Sequence, residues 1–314
     1  MALKTSSLNS RRKPVEHYLD EALRVSRTSK AKDTLLPVGH MSRPTVVIEP
    51  SRGLFHFDWR SLWEYRELLY FLVWRDIRVR YKQTLIGAAW AILQPFLTML
   101  IFVVIFGVFA KFPSDGLPYP IFAYTAILVW FCFSQAATNA AQSLVADATL
   151  LKKVYFPRLL IPLAAVVRPV VDFAVSFVLL IGMMAWYGIA PKWTMLAVPL
   201  FLFFAVMTAL AMGLWLSALN VRYRDVGHTF PFVIQVWMFA SPVAYSISLV
   251  PEQWRFLYSL NPLVGVIEGF RWAALGTPTP PISAIAVSAA VVLVVLATGL
   301  VFFKRMERTF ADIA

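Results

Sequence analysis

Six long apolar stretches occupy the sequence from Ile86 onward, and they decide what the chain can fold into. A helix needs about 20 apolar residues to cross the hydrocarbon core of a bilayer. Lipid offers backbone groups no hydrogen-bond partner, and the sequence lacks the ~10-residue segments of alternating polarity that mark a membrane barrel. We therefore predict an all-α integral membrane protein with six transmembrane helices, at residues 86–109, 121–144, 163–187, 195–219, 230–247 and 282–303.

The composition indicates one membrane domain with a polar extension in front of it. Hydrophobic residues make up 59% of the 314 positions and charged residues 15%, which overrides the expectation of about two soluble domains for this length. Residues 1–54 are rich in Ser, Thr, Pro and basic side chains, without a hydrophobic run that would serve as a signal sequence. We predict a flexible cytoplasmic extension at 1–54, an amphipathic interface helix at 55–85 and a six-span domain at 86–314.

The distribution of basic residues predicts which side of the membrane each terminus occupies. Sixteen of the 29 Lys and Arg precede Ile86, and an even number of spans returns Lys304, Arg305 and Arg308 to the same side. In that topology 24 basic residues lie on one side and four on the other, and the side richer in Lys and Arg is cytoplasmic. Both termini are therefore expected in the cytoplasm. The same excess accounts for the net charge of +12, so we expect no nucleic-acid partner.

The sequence carries little that would support catalysis. Cys132 is the single cysteine, and the four histidines are scattered without ligand spacing, so we predict no metal site and no intrachain disulfide. No glycine is followed by lysine, which excludes the phosphate-binding G-x-x-x-x-G-K-[ST] loop. The spans also lack the Asp, Glu and His chains of ion-coupled transporters. Energy for transport would have to come from another subunit.

A basic helix is predicted at residues 59–82, before the first span. Apolar residues at positions 62, 65, 69, 72 and 73 follow a helical period, and charged side chains occupy much of the remaining circumference. Such a helix, with three tryptophans, is expected to lie in the inner membrane interface. It either only anchors the first span or also docks a cytoplasmic partner. The residues expected to carry this interface are Trp63, Arg66, Arg75 and Arg78.

The first span contains the candidate channel residues. Gln94 precedes Pro95, and a proline inside a helix removes a backbone hydrogen bond and usually kinks the helix. Phe102, Phe106 and Phe109 follow at helical spacing. Aromatic rings in a pore offer contact area to the apolar faces of sugars, whereas on the outside of the bundle they contact lipid. The sequence does not decide whether the three phenylalanines line a pore or contact lipid.

A basic and aromatic segment at residues 146–158 separates the second and third spans. Asp147 or Thr149 would cap a short helix there, and Pro157 would end it. A loop that only sets the membrane topology requires the lysines but not the neighbouring aromatic residues, Tyr155 and Phe156. We therefore predict that this helix docks in a groove of another protein. The docking residues would be Leu150, Leu151, Lys152, Lys153, Tyr155 and Phe156.

Two pairs of opposite charges lie in or beside the spans. Arg168 and Asp172 are four residues apart in the third span, where a lone charge costs about 2.5–3.5 kcal/mol and pairing on one helix face reduces that cost. We predict an intramembrane ion pair, with a role in conformational coupling or substrate contact as the alternative. Arg224 and Asp225 follow the fourth span in a polar turn, where they pair, bind neighbouring helix ends or are solvated.

The segment after the fifth span, at residues 248–281, is too long for a turn and too apolar for a free loop. Irregular backbone at membrane depth is tolerated where it lines a cavity. We therefore predict two short helices that dip into the outer leaflet over a pore exit, like a gate. The candidate gate residues are Trp254, Tyr258, Asn261, Pro262, Glu268 and Arg271.

Taken in order, these motifs resemble those of one family. They are the basic interfacial helix, Leu85-Ile86-Gly87 with Gln94-Pro95, the segment 151–157, Arg224-Asp225, and Asn261-Pro262 with Phe270-Arg271-Trp272. From Phe55 to the C-terminus, the chain is similar to the permease subunits of bacterial ATP-binding-cassette transporters that export polysaccharides, the O-antigen, capsule and teichoic-acid group.

The resemblance implies a homodimer of six-span subunits around a continuous channel, driven by two copies of a separate cytoplasmic ATPase. ATP and Mg²⁺ would bind to that ATPase, and this chain would carry no cofactor and no catalytic residue. The resemblance makes 150–156 the coupling helix, 59–82 the interface helix, and 254–258 and 263–272 the gate helices. The substrate would be a polyprenyl-linked glycan crossing the bacterial inner membrane, with membrane lipid around the dimer. A small lipophilic compound is the alternative substrate.

Overall fold

The computed structural model describes residues 59–82, 87–277 and 280–313, with side chains for 62–82, 89–277 and 280–307. The predicted extension at 1–54 and the link at 83–86 lie outside these ranges. Every regular element within them is helical. In chain order the helices are α1 (Trp59–Glu64), α2 (Arg66–Lys82), α3 (Gly87–Phe102), α4 (Tyr119–Ala146), α5 (Ala148–Lys153), α6 (Leu160–Trp186), α7 (Val198–Arg222), α8 (Asp225–Phe239), α9 (Glu252–Ser259), α10 (Pro262–Leu275) and α11 (Ile282–Ile313).

Three further segments are helical but not α-helical. A π-helical segment, Val103–Phe109, continues α3, and 3₁₀ turns at Trp193–Ala197 and Ile247–Leu249 precede α7 and α9. Five stretches of the described residues are long and apolar enough to cross a membrane. These stretches are Ala89–Phe109, Tyr119–Ala146, Leu160–Trp186, Trp193–Arg222 and Ile282–Glu307. The prediction of an all-helical, multi-pass membrane protein is confirmed, and the count of six spans is not reproduced.

The predicted fifth span at 230–247 is wrong in its bounds. α8 has 15 residues and ends at Phe239, short of the ~20 residues that a crossing requires. The Ser241-Pro242 pair explains the early end, because proline has no N–H for the helix and disfavours helical geometry in the residue before it. The Ser241 hydroxyl instead donates to the carbonyl oxygen of Trp237 at 3.0 Å.

Hydrogen bonds show which helix ends lie together. The Asn220 side chain, near the end of α7, donates to the carbonyl oxygen of Ala141 in α4 at 3.1 Å. Arg158, just before α6, donates to the carbonyl oxygen of Glu307 in α11 at 2.5 Å. The ends of α4, α7 and α11 therefore lie beside the start of α6. We call this the α5 end of the bundle, since α5 connects α4 to α6 there.

The opposite end of the bundle, the α10 end, is held in the same way. Tyr119, the first residue of α4, donates to the carbonyl oxygen of Ala244 at 2.7 Å. Lys192, which precedes α7, donates to the carbonyl oxygen of Gly276 at 2.7 Å. Gly276 ends α10 in the left-handed region, with φ of 65°. α4, α6 and α7 therefore run alternately up and down, and the predicted charged sites fall at the two ends.

α4 is the central helix of the bundle. In its most apolar stretch of 18 residues, 78% of the residues are buried. The corresponding fraction is 17% in Ala89–Phe109 and in α11. Ala136, Ala137 and Ala140 are fully buried, and such small side chains allow helices in a membrane to approach closely. Gly213 of α7 lies so close to α4 that a Cβ at this position would collide with the Ala140 side chain.

The close contact between α4 and α7 predicts a large effect of added volume at Gly213. We expect Gly213→Leu to lower the free energy of unfolding by about 1–3 kcal/mol, because overpacking forces the two helices apart. The control is Gly182→Leu in α6, where nothing lies within 4 Å of a built Cβ. Thermal unfolding of both variants in one detergent checks this. Equal unfolding midpoints would show that the α4 and α7 contact is looser than described.

Candidate coupling, substrate and gate sites

The short helix predicted between the second and third spans is present as α5, but its ends differ from the prediction. Asp147 precedes α5 without a side-chain capping hydrogen bond. Its carboxylate instead accepts a hydrogen bond from Arg75 Nη2 of α2 at 3.0 Å. The helix ends at Lys153, because Val154 adopts extended geometry, so Pro157 does not terminate it. The Asp147 carboxylate, which the local sequence predicts as a helix cap, therefore forms an ion pair with a residue that is distant in the sequence.

The predicted docking residues of this segment face different surroundings. Tyr155 is 78% exposed, and Lys152 and Lys153 are also exposed. Phe156 is only 4% exposed and belongs to the hydrophobic core. Leu150 and Leu151 are partly buried and pack against that core. The assignment of Phe156 to a docking surface is therefore corrected: its ring anchors the segment to the bundle, and Tyr155 faces outward.

The helix predicted at 59–82 is interrupted at Tyr65, which separates α1 from α2. Leu72 of α2 is buried in the bundle, whereas Trp63 and Trp74 are exposed. Two predicted interface arginines lie over these rings, Arg66 over Trp63 at 5.4 Å and Arg78 over Trp74 at 5.5 Å. The other, Arg75, binds Asp147 and Asp76. The hydrogen bond to Asp147 raises the pKa of Arg75 above its ordinary value.

The predicted ion pair between Arg168 and Asp172 is corrected by contacts that α2 supplies. Asp172 Oδ2 lies 2.9 Å from Arg80 Nη2, and Asp172 Oδ1 accepts a hydrogen bond from the Tyr81 hydroxyl at 2.6 Å. Burial, with the bond to Asp172, raises the pKa of Tyr81 to about 12, so the phenol remains a donor at neutral pH. Arg168 Nη2 donates to Asn139 Oδ1 of α4 at 2.9 Å.

Arg80 and Arg168 line a cavity of about 600 Å³ between α2, α4 and α6, near the α5 end. Its polar lining includes Arg75, Asp76, Arg80, Asn139, Asp147 and Arg168. Sequence reasoning missed Asn139, Arg80 and Tyr81 as partners, because each belongs to a different helix from the charge that it contacts. A polar residue within the apolar α4 was the available signal for Asn139.

The channel candidates of the first span do not share one environment. Phe102 is buried, Phe106 is partly buried between Phe102 and Phe112, and Phe109 is 78% exposed. Gln94 is partly buried. The π-helical geometry that begins at Val103 changes the angular spacing between these side chains, so regular helical spacing does not describe them. Phe102 belongs to the hydrophobic core of the chain, and its assignment to a channel wall is corrected.

The polar turn after α7 is organised by a residue that sequence reasoning did not single out. Asn220 donates from Nδ2 to Ala141 and accepts at Oδ1 from the backbone N–H of Gly227 at 2.9 Å. Arg224 precedes α8 and Asp225 is its first residue, where a carboxylate is favoured by the helix dipole. Asn220 therefore makes a contact between neighbouring helix ends, which was one of the three alternatives for Arg224 and Asp225.

Two short helices, α9 and α10, occupy the segment predicted to form an external gate. Asn261 caps α10, because its Oδ1 accepts from the backbone N–H of Leu263 at 3.1 Å, and Pro262 occupies the first turn. The Asn261 amide also donates to Ser241 Oγ at 3.0 Å. On α9, Trp254 is exposed and the Tyr258 hydroxyl donates to the Tyr245 hydroxyl at 3.0 Å.

Glu268 and Arg271 of α10 form a buried ion pair. Arg271 Nη1 lies 2.9 Å from Glu268 Oε1, and Arg271 is 2% exposed. Its guanidinium also donates to the carbonyl oxygen of Val243 at 3.1 Å and lies 3.7 Å from the centre of the Phe122 ring. Both charges of this candidate gate pair therefore lie inside the protein. The pair lines a second cavity of about 520 Å³ at the α10 end, together with Asp115.

The fold and these sites define a multi-pass helical membrane protein with short helices at both ends of its bundle. The chain belongs to the ABC-2 type transporter family, whose sequence profile matches residues 67–275. The family resemblance carried by the motifs is therefore confirmed.

Several curated relatives are matched over nearly their whole length. The chain is 29% identical over 256 residues to the O-antigen export system permease protein RfbA of Myxococcus xanthus, covering 81% of this chain and 97% of that protein. It is 27% identical over 249 residues to RfbA of Klebsiella pneumoniae, covering 79% and 95%. It is 23% identical over 238 residues to the polysialic acid transport protein KpsM of Escherichia coli, covering 74% and 91%.

Proposed function

We propose that this protein is the permease subunit of an ATP-driven exporter and that it moves a lipid-linked polysaccharide across the bacterial inner membrane. The observation that carries the proposal is the near full-length similarity to permeases named for O-antigen export, which reaches 97% of the Myxococcus xanthus protein. A relative named for polysialic acid transport supports the same substrate class. These relatives do not favour a small lipophilic compound as the substrate.

In the proposed assembly, two copies of the chain form the channel and two copies of a cytoplasmic ATPase drive it. Apolar side chains exposed on the single chain support a second copy and surrounding lipid as its neighbours. They include Ile101, Val104 and Val108 of the first span and, separately, Phe232, Val236 and Phe239 of α8. ATP and Mg²⁺ would bind the ATPase, and this chain would supply no cofactor. Both termini would lie on the cytoplasmic side, with the α5 end.

The proposed coupling route begins at the exposed Tyr155 and passes through α2. Closure of the ATPase dimer would press on α5 and the residues that follow it. Asp147 would pass that movement to Arg75, because the two side chains are joined at 3.0 Å. Arg80 would pass it on to Asp172 within α6, at 2.9 Å. α9, with Trp254 exposed at the α10 end, would then open the exit as the gate.

Depletion of the protein in its native cell tests the proposed function. We expect polyprenyl-linked glycan to accumulate inside the cell and surface polysaccharide to be lost, because synthesis continues while export stops. Fractionated extraction of the lipid-linked glycan measures both. Re-expression of the wild-type chain is the control and should restore the surface polysaccharide. Unchanged glycan, combined with altered sensitivity to hydrophobic compounds, would replace the proposal with export of a small lipophile.

A further inference from the structure

A loop at the α10 end is joined by hydrogen bonds to the segment that leads into α9. The loop, at 110–118, follows the first span, and the segment, at 245–251, precedes α9. The Asp115 carboxylate of the loop accepts a hydrogen bond at Oδ1 from Ser248 Oγ at 3.0 Å. Its Oδ2 accepts another from Ser246 Oγ. One side chain therefore connects the end of the first span to the approach to α9.

α9 is attached to the same segment by two of its own side chains. Arg255 Nε donates to the carbonyl oxygen of Val250 at 3.0 Å, and the Tyr258 hydroxyl donates to the Tyr245 hydroxyl at 3.0 Å. Three large apolar side chains of α9 are exposed on the chain: Trp254, Phe256 and Leu257. Elements with few buried apolar contacts open locally at low cost. α9 would therefore move together with the segment 245–251.

The backbone of the loop indicates that contacts hold it in place. Asp115 has a φ of 51° and Gly116 a φ of 81°, both in the left-handed region. A side chain with a Cβ is disfavoured there, although aspartate tolerates the region better than most residues. Such conformations persist where neighbouring contacts support them, and they are concentrated at functional and switch regions. The two hydrogen bonds of Asp115 provide that support.

The contacts that hold α9 can also be broken. Asp115 and Ser248 are both exposed, so water can replace the hydrogen bond between them at a modest net cost. The contact of α9 with α11 is weak, because the Ser259 carbonyl oxygen lies 3.5 Å from Ser288 Oγ, at the limit of hydrogen bonding. Loss of the Asp115 bonds would therefore weaken the attachment of α9 to the bundle.

We propose that Asp115 is a positioning residue that acts as a latch: it holds the segment 245–251, and with it α9, against the bundle. Release of the two serine hydroxyls lets α9 move away from α11. This movement opens the cavity of about 520 Å³ at the α10 end, which Asp115, Ser248 and Ser259 all line. That it also opens the exit for the glycan rests on the proposed function. The latch itself rests only on contacts within the chain.

The test measures how often α9 opens in the full-length protein in lipid nanodiscs. Ser259→Cys replaces one atom at a position that is 5% exposed and lines the cavity. Its rate of modification by a water-soluble maleimide reports the population in which α9 is open. The native Cys132, buried in α4, is the internal reference, because its modification requires the bundle core to open. Peptide mass spectrometry measures both cysteines in one sample.

Four substitutions are compared in the Ser259→Cys background. Asp115→Gly removes the carboxylate but still allows a positive φ, and Asp115→Asn retains one acceptor oxygen. Ser248→Ala removes one of the two donors. Lys111→Gly is the matched control, because Lys111 lies in the same loop and has the same φ of 51°.

We expect Asp115→Gly to speed modification of the introduced cysteine about tenfold or more, because two hydrogen bonds to a carboxylate are lost. Asp115→Asn and Ser248→Ala should give smaller increases. Asp115→Gly combined with Ser248→Ala should match Asp115→Gly alone, since the serine then has no carboxylate to lose. Lys111→Gly should leave the rate unchanged, and Cys132 should be modified equally slowly in all variants.

An unchanged rate in Asp115→Gly overturns the proposal. Equal increases at both cysteines also overturn it, because they would give Asp115 a role in overall stability only. The same holds if the effects of Asp115→Gly and Ser248→Ala multiply in the combined variant. Export is judged separately by the depletion experiment: faster modification together with unchanged glycan would keep the latch and overturn only the proposed function.

Discussion

Tyr155→Ala should uncouple this permease from the ATPase proposed as its partner, without changing its stability. The ring is 78% exposed, so its removal costs the isolated chain little packing. A tyrosine at the centre of an interface typically contributes about 2 kcal/mol, which corresponds to roughly 30-fold weaker association. Co-purification of the ATPase, and export of glycan in a strain that carries only the variant, measure the effect.

Phe156→Ala is the matched comparison because it changes the adjacent ring, which is 4% exposed. Truncation of a buried phenylalanine costs about 3–5 kcal/mol, so this variant should unfold at a markedly lower temperature. The two single variants distinguish loss of ATPase docking from loss of packing against the bundle. A double replacement would change both at once. Normal ATPase association and normal export in Tyr155→Ala would exclude this segment as the coupling contact.

The sequence predicted the long helices well, because bilayer-length apolar runs have few alternative structures. It also predicted the two short helices α9 and α10, because the segment at 248–281 is too long for a turn and too apolar for a free loop. It did not predict where α8 ends. Hydrophobicity continues through Ser241-Pro242 up to residue 247, and only backbone geometry, not composition, stops the helix there.

The candidate sites were predicted less accurately, for a physical reason that Asp172 illustrates. A prediction from the spacing of Arg168 and Asp172 takes account of one helix only. In a bundle, a buried carboxylate pairs with whichever donors the neighbouring helices provide. α2 brings Arg80 and Tyr81 to Asp172, and α4 brings Asn139 to Arg168. Likewise, an adjacent Tyr155 and Phe156 look equivalent in sequence, although consecutive residues of an extended segment point to opposite sides.

The two ends of the bundle use charge differently. At the α5 end, Arg75 and Arg80 of α2 reach carboxylates on other segments, so the contacts join elements that would move relative to one another. At the α10 end, Glu268 and Arg271 are three residues apart on one helix and are both buried. A pair within one rigid helix does not join moving elements. It positions α10 against Val243 and Phe122 instead.

Glu268→Leu should therefore destabilise the protein strongly, because it leaves the Arg271 guanidinium buried without its carboxylate. Removal of one partner of a buried ion pair costs about 3–5 kcal/mol, whereas replacement of both by apolar side chains of similar volume is often neutral or stabilising. Glu268→Leu should unfold at a much lower temperature than the wild type, and Glu268→Leu combined with Arg271→Met should recover most of the loss.

The control for this comparison is Glu252→Leu on α9, which removes an exposed carboxylate 3.6 Å from Arg255. Exposed pairs contribute about 0–1 kcal/mol, so its unfolding midpoint should remain near that of the wild type. Thermal unfolding of the four proteins in one detergent provides the measurement. If the double variant is as unstable as Glu268→Leu, then Arg271 contributes through its contacts with Val243 and Phe122, and the ion pair is not what holds α10 in place. If the double variant recovers and still exports glycan, the charges are structural and the gate does not depend on them.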